Sequence, residues 1–77
     1  MKTKVLLFGQ LAEITGSKEL EMEGCADTAA LLSILHEQFP VLAQSKYVVA
    51  VNQEMISGNK NLPENSIVAL LPPFSGG

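Results

Sequence analysis

The sequence contains no arginine and no tryptophan, one cysteine and one histidine. Each shortage closes a class of function. With Cys25 alone, no internal disulfide forms and no site built on several thiolates can be assembled. A nucleophilic pair of Cys25 and His36 is disfavoured because most of an expected helix separates them. Cys25 therefore reads as a small buried or boundary residue and His36 as a solvent-facing helix position. Five lysines against eight carboxylates give a net charge of −3 and a pI of about 4.9. Phosphate neutralisation needs clustered lysine and arginine, so nucleic acid is a poor candidate partner, and a basic groove on another protein suits this surface better. No apolar run approaches the roughly 20 residues of a membrane span. The start of the chain carries two lysines but no long apolar stretch with a small-residue cleavage site, so no secretory signal is expected and the cytoplasm is the default location.

What is present is apolar patterning in quantity. Of the 77 residues, 47% are hydrophobic and 17% charged, which excludes the disordered class and fits a single domain over residues 1–77. Lys4 to Phe8 is short, rich in strand formers and apolar on both faces, the mark of a central strand. Gly9 to Gly16, with Leu11 and Ile14 three apart, fits a single helical turn or a wide loop. Ser17 to Glu23 alternates Leu20 and Met22 with Glu19, Glu21 and Glu23. That is a half-buried strand near a sheet edge, its carboxylates in a row rather than converging on a metal or a substrate.

The clearest helix runs from Thr28 to Phe39, capped by Asp27 or Thr28, with Leu31, Leu35 and Phe39 recurring at four beside Leu32. Pro40 stops it, and Val41 to Ala43 can add a short turn. Lys46 to Val51 is a second β-branched strand, turning through Asn52-Gln53 into a short return strand at Glu54 to Ile56. Ser57 to Ser66 is polar and irregular, with Leu62 dipping back to the core. Ile67 to Leu71 is the last strand.

One helix and about five strands are satisfied by an α+β arrangement in which the helix lies across one face of a mixed sheet, the first and last strands adjacent in its middle. This is the β-grasp, ubiquitin-like arrangement. The opposite sheet face is then bare. Neighbours Leu70 and Leu71 point opposite ways, as do Leu7 and Phe8, so an exposed apolar patch of Phe8 and Leu71, joined by Met55, is expected there as a partner site.

The last stretch, Leu70-Leu71-Pro72-Pro73-Phe74-Ser75-Gly76-Gly77, is unlike the rest. Pro72 and Pro73 have no N–H for a sheet ladder, so from about residue 72 the chain should leave the body as an extended tail. Fully extended, Phe74 to Gly77 would reach roughly 13 Å at about 3.3 Å per residue. Gly76 and Gly77 lack Cβ atoms and can pass a constriction that stops any other residue. A frayed terminus has the same composition, and by itself a Gly-Gly end does not separate the two.

The blocks Val5-Leu6-Leu7-Phe8-Gly9, Leu11-Ala12-Glu13, Thr15-Gly16, Ala50-Val51-Asn52-Gln53 and Val68 to Gly77 resemble the small subunit of molybdopterin synthase (MoaD-like), a ubiquitin-like sulfur carrier family. The final block, Pro-Pro, one residue, Ser, then Gly-Gly, is its most specific part. Ala12 stands where arginine is common, and Phe74 where a small aliphatic is common. The resemblance implies that Gly77 carries the reaction through its terminal carboxylate, which an E1-like adenylyltransferase (MoeB-like) activates with ATP and which sulfur transfer converts to a thiocarboxylate. Gly76 supplies the slender approach. Phe8, Met55, Leu71, Pro73, Phe74 and Ser75 would contact a large subunit (MoaE-like), in whose active site sulfur passes to cyclic pyranopterin monophosphate. No cofactor or metal would be bound by this chain. Conjugation through Gly77 as a protein modifier, or sulfur delivery to the thiazole of thiamine, would use the same tail.

Overall fold

The computed structural model describes residues 2–56 and 58–73. Five strands form one sheet in the order β2-β1-β5-β3-β4. They are β1 (Lys2–Leu7), β2 (Glu19–Glu23), β3 (Val48–Val51), β4 (Glu54–Ile56) and β5 (Ile67–Leu71). β1 and β5 pair in parallel and all other neighbours are antiparallel, so the sheet is mixed, as expected for the ubiquitin-like β-grasp fold. Among the described residues three helices complete the body: α1 (Gln10–Thr15), α2 (Thr28–Gln38) and α3 (Pro40–Ala43). The stretch between Gly9 and Gly16 is thus helical, and Gly16 ends α1 in the left-handed conformation that glycine adopts at least cost.

Side-chain alternation decides what each strand buries. Val5 and Leu7 on β1, Val51 on β3 and Val68 and Leu70 on β5 all turn to one face and meet Leu31 and Leu35 of α2. Leu11, Leu42 and Leu62 close the same core, and the irregular segment before β5 is tied down by Leu62 together with backbone hydrogen bonds, among them Thr28 N–H to the Lys60 carbonyl and Leu62 N–H to the Ala26 carbonyl, both 2.9 Å. Burial of these side chains, at about 1.5 to 3 kcal/mol each, is the main favourable term holding helix to sheet.

Local chemistry sets the boundaries. The Asp27 carboxylate accepts from the Ala30 N–H at 2.9 Å and caps α2, holding its pKa below the ordinary value of 3.8; an Asn59 amide adds a second hydrogen bond. α2 ends at Gln38, with Phe39 as its cap, one residue before the expected end, because Pro40 disfavours helical geometry in the residue before it. β3 starts at Val48, two residues later than the apolar run suggests. Asn52 and Gln53 both have positive φ, 50° and 71°, which the two-residue hairpin turn between β3 and β4 requires.

Two single residues are placed differently from or more closely than their sequence context suggests. His36 is half-buried rather than solvent-facing, its Nε2 lying 2.6 Å from the Tyr47 hydroxyl, which joins α2 to the segment entering β3. Cys25 is buried at 1% exposure, and burial, with the Asp27 charge nearby, pushes its thiol up from the ordinary range. A thiol held protonated is a poor nucleophile.

Candidate functional site: the open sheet face and the strand exit

The face of the sheet turned away from α2 carries the alternate residues of each strand. Cross-strand register aligns Leu6 with Ala69, Ala69 with Ala50, and Ala50 with Met55, a single row running across β1, β5, β3 and β4. Two alanines in the middle of a row flanked by larger side chains leave a dent. The structure shows a concavity of about 580 Å³ there, lined by Leu6, Phe8, Ala50, Met55, Ile67, Ala69 and Leu71, with Asn52 and Gln53 at its hairpin end. Phe8, Met55 and Ile67 are 45%, 57% and 42% exposed, high for large apolar side chains that lie together.

The charges on this face lie to one side. Lys2 and Lys4 of β1 reach Glu21 and Glu19 of β2 at 4.0 and 3.7 Å, both pairs solvent-exposed. The sheet face is therefore polar over its β2 edge and apolar over β5, β3 and β4.

The last strand delivers the chain to the rim of the concavity. Leu70 is fully buried and Leu71 is half-buried on the open face. Phe8 N–H donates to the Leu70 carbonyl at 3.1 Å, and β5 ends one residue later, where Pro72 has no N–H to continue pairing. Pro72 and Pro73 are exposed. On the other side of this exit stands Gly9, φ 57° and ψ −132°, a conformation close to the mirror image of extended chain that only glycine adopts readily. A Cβ on Gly9 would lie 2.8 Å from Pro72 Cγ.

The structure thus brings Phe8, Met55 and Leu71 to one concavity, with Pro73 beyond the strand exit. Phe74, Ser75, Gly76 and Gly77 lie outside the described residues. The lining residues Leu6, Ala50, Ile67 and Ala69 were not singled out from the sequence. Strand parity with Phe8 and Leu71 picks out Leu6, Ile67 and Ala69, whereas Ala50 enters only through its register with Ala69. Among the described residues there is no group of three or more His, Cys, Asp or Glu placed to hold a metal ion, and no helix long and apolar enough to cross a membrane.

Comparison with known proteins fits this geometry to a family. Residues 5–77 match the model of the ThiS family. The molybdopterin synthase sulfur carrier subunit of Caenorhabditis briggsae is 34% identical over an 83-position alignment that spans 100% of this chain and 99% of that protein. Among solved structures, a complex of subunits 1 and 2 of the molybdopterin-converting factor from Helicobacter pylori contains a chain that superposes with a TM-score of 0.75 at 26% identity, covering all of both chains. The small archaeal modifier protein 1 of Methanosarcina acetivorans superposes with a TM-score of 0.83 at 25% identity, over 99% of this chain and 96% of that one. With its β-grasp body and a family match running to its last residue, the chain belongs to the ThiS family and is a ubiquitin-like protein of the kind that includes the molybdopterin synthase sulfur carrier subunits.

Proposed function

We propose that this chain is the sulfur carrier subunit of molybdopterin synthase and that its working group is the carboxylate of Gly77. The observation that carries the reading is the end-to-end likeness to a molybdopterin synthase sulfur carrier subunit, 34% identical over the whole chain. A carboxylate is ionised at neutral pH, its reference pKa being about 3.3 to 3.7, and is a poor electrophile. It needs activation. An E1-like adenylyltransferase supplies this with ATP: a carboxylate oxygen attacks the α-phosphorus, pyrophosphate leaves, and a mixed anhydride with AMP forms. The outer sulfur of a persulfide on a donor protein then attacks the acyl carbon and displaces AMP, giving an acyl disulfide. A thiol attacks the donor's sulfur, forms a disulfide with it and breaks the S–S bond, leaving a thiocarboxylate on the chain.

The loaded tail enters the active site of the large subunit and donates its sulfur to cyclic pyranopterin monophosphate. The thiocarboxylate sulfur bonds to a substrate carbon in place of an oxygen substituent, and water then cleaves the acyl C–S bond, leaving the sulfur on the substrate and returning the tail to a carboxylate. A dithiolene contains two sulfurs and each tail brings one, so two loaded chains are consumed per product. The open face is the docking surface in this reading. Phe8, Met55 and Leu71 pack against the partner while Pro73, Phe74 and Ser75 guide the tail, and Gly76 and Gly77 occupy the narrowest part of the channel. The H. pylori complex supports a partner of the large-subunit kind, since a chain of that two-subunit complex has this fold. This chain supplies no cofactor, and the acid, base and substrate pocket belong to the partner.

The test is intact mass and reconstitution. Isolated from cells that hold the activating enzyme, a fraction of the chain should carry sulfur in place of one terminal oxygen. Loss of Gly77 should abolish molybdopterin formation with the large subunit, and a truncated chain that still supports it would refute the reading. The likeness to a small archaeal modifier protein favours a second reading, conjugation through Gly77. Gly77 recovered in isopeptide linkage to lysines of other proteins would establish that one.

A further inference from the structure

Gly9 belongs neither to the tail nor to the concavity, yet it touches the point where one becomes the other. Two observations bear on it. Its φ and ψ of 57° and −132° are open to glycine and strained for any residue with a Cβ, so a side chain there is resisted by the backbone itself. Independently, an added Cβ would lie 2.8 Å from Pro72 Cγ and 3.7 Å from its Cδ. The ring of proline is closed onto its own backbone and cannot swing aside, so relief requires the chain at Pro72, or the loop at Gly9, to move.

The loop is the less able to move. Phe8 N–H is bound to the Leu70 carbonyl at 3.1 Å, the Phe8 carbonyl accepts from Leu11 at 3.1 Å, and the Gly9 carbonyl accepts from Ala12 at 3.2 Å. Leu11 is buried in the core. The exit of β5, in contrast, has lost its ladder, because Pro72 cannot donate. We propose that Gly9 is a positioning residue: the bare backbone at Gly9 is a seat for the Pro72 ring, and this contact sets the direction in which the chain leaves the sheet beside the open face. The inference rests on the carrier reading for its consequence, since aiming the exit matters to chemistry only if the tail delivers a reacting group. Positioning of a reacting group is worth large factors in rate, about a hundredfold for a misplacement near 1 Å.

The experiment has a structural and a kinetic part. In the isolated chain, nuclear Overhauser contacts between the Gly9 Hα protons and the Pro72 ring protons should be present, and their absence overturns the inference. For the kinetics, the chain is thiocarboxylated chemically so that the activating enzyme is bypassed, and sulfur transfer is followed in a single turnover with the large subunit. Pro72→Ala, at an exposed position beyond the last strand, should keep the thermal midpoint and partner affinity of the unmodified chain while transfer slows by about tenfold to a hundredfold. Gly9→Ala should slow transfer at least as much, and Pro72→Ala placed in that background should add less loss than it causes alone, because the contact it breaks is already gone. Transfer by Pro72→Ala at the unmodified rate, or losses that multiply in the double variant, overturn the inference while the carrier reading stands. No transfer by the unmodified loaded chain overturns the carrier reading and this inference with it.

Discussion

The two faces of the five-stranded sheet are built from the same strands, residue by residue in alternation, yet they are different materials. The face under α2 presents Val5, Leu7, Val51, Val68 and Leu70, all buried and in contact with one continuous core. The opposite face presents Leu6, Ala50, Met55, Ile67, Ala69 and Leu71 around an open concavity. Hydrophobicity alone does not distinguish the two sets. What separates them is that the first has a helix over it, so its apolar area is removed from water within the chain, while the second can be covered only from outside. An apolar face left open by a small domain is the usual mark of a surface that meets a partner.

The sharpest way to break this comparison is to place the same charge on adjacent residues of β5. Leu70→Asp buries an unpaired carboxylate in the core, and we expect loss of cooperative folding, read by circular dichroism and thermal denaturation. Leu71→Asp, one residue on, should fold normally and weaken the complex with the large subunit by about tenfold or more in calorimetric titration, because the charge must be desolvated at an apolar contact. If Leu71→Asp unfolds the chain, the two faces have been assigned the wrong way round.

Smaller effects sharpen the description of what holds the covered face in place. Asp27 caps α2 and its folded pKa is lowered below 3.8, first by the Ala30 N–H and then by the Asn59 amide. A lowered carboxylate pKa contributes stability that is present above the unfolded value and is lost as pH falls through the folded one. Asp27→Asn keeps a capping oxygen but no charge. Urea midpoints of the unmodified chain should therefore exceed those of the variant near neutral pH, and the gap should close as pH falls below 3.8. The smallest effect belongs to the polar edge of the open face. Glu19→Gln removes an exposed ion pair with Lys4 and should change stability by no more than about 0.5 kcal/mol in denaturant titration. A larger loss would mean that the acidic row on β2 does more than keep that edge solvated.

Much of this arrangement is legible in the residues. The strands at Ile67–Leu71 and Glu54–Ile56 coincide with the expected runs, and the leucine spacing finds α2 to within a residue at its end. Leu62 enters the core as its isolated apolar character in a polar segment suggests. Local pattern works where one face must be apolar at a fixed period. It fails where a contact depends on something distant in sequence. His36 has the neighbours of an exposed helix residue and is half-buried because Tyr47, eleven positions on, folds back to meet its ring. β3 begins two residues later than its apolar composition because pairing, not propensity, defines the ladder, and Val48 is the residue that meets Leu71.

The candidate site divides the same way. The parity of Leu70 against Leu71 and of Leu7 against Phe8 is a property of the extended chain and can be read without coordinates. The dent cannot, because it exists only where Ala50 and Ala69, nineteen positions apart, are set side by side by the β3–β5 register.

The sequence by itself determined the alternation of the strands, the amphipathic helix and the end of the last strand at two prolines. Each of these follows from side-chain volume, backbone donors or charge within a few neighbouring residues. Only the tertiary structure decided which apolar residues are joined into one open surface, and that Gly9 and Pro72 touch. Both depend on the parallel pairing of β1 with β5, the first and last strands of the chain, and no local rule brings residues more than sixty positions apart into van der Waals contact.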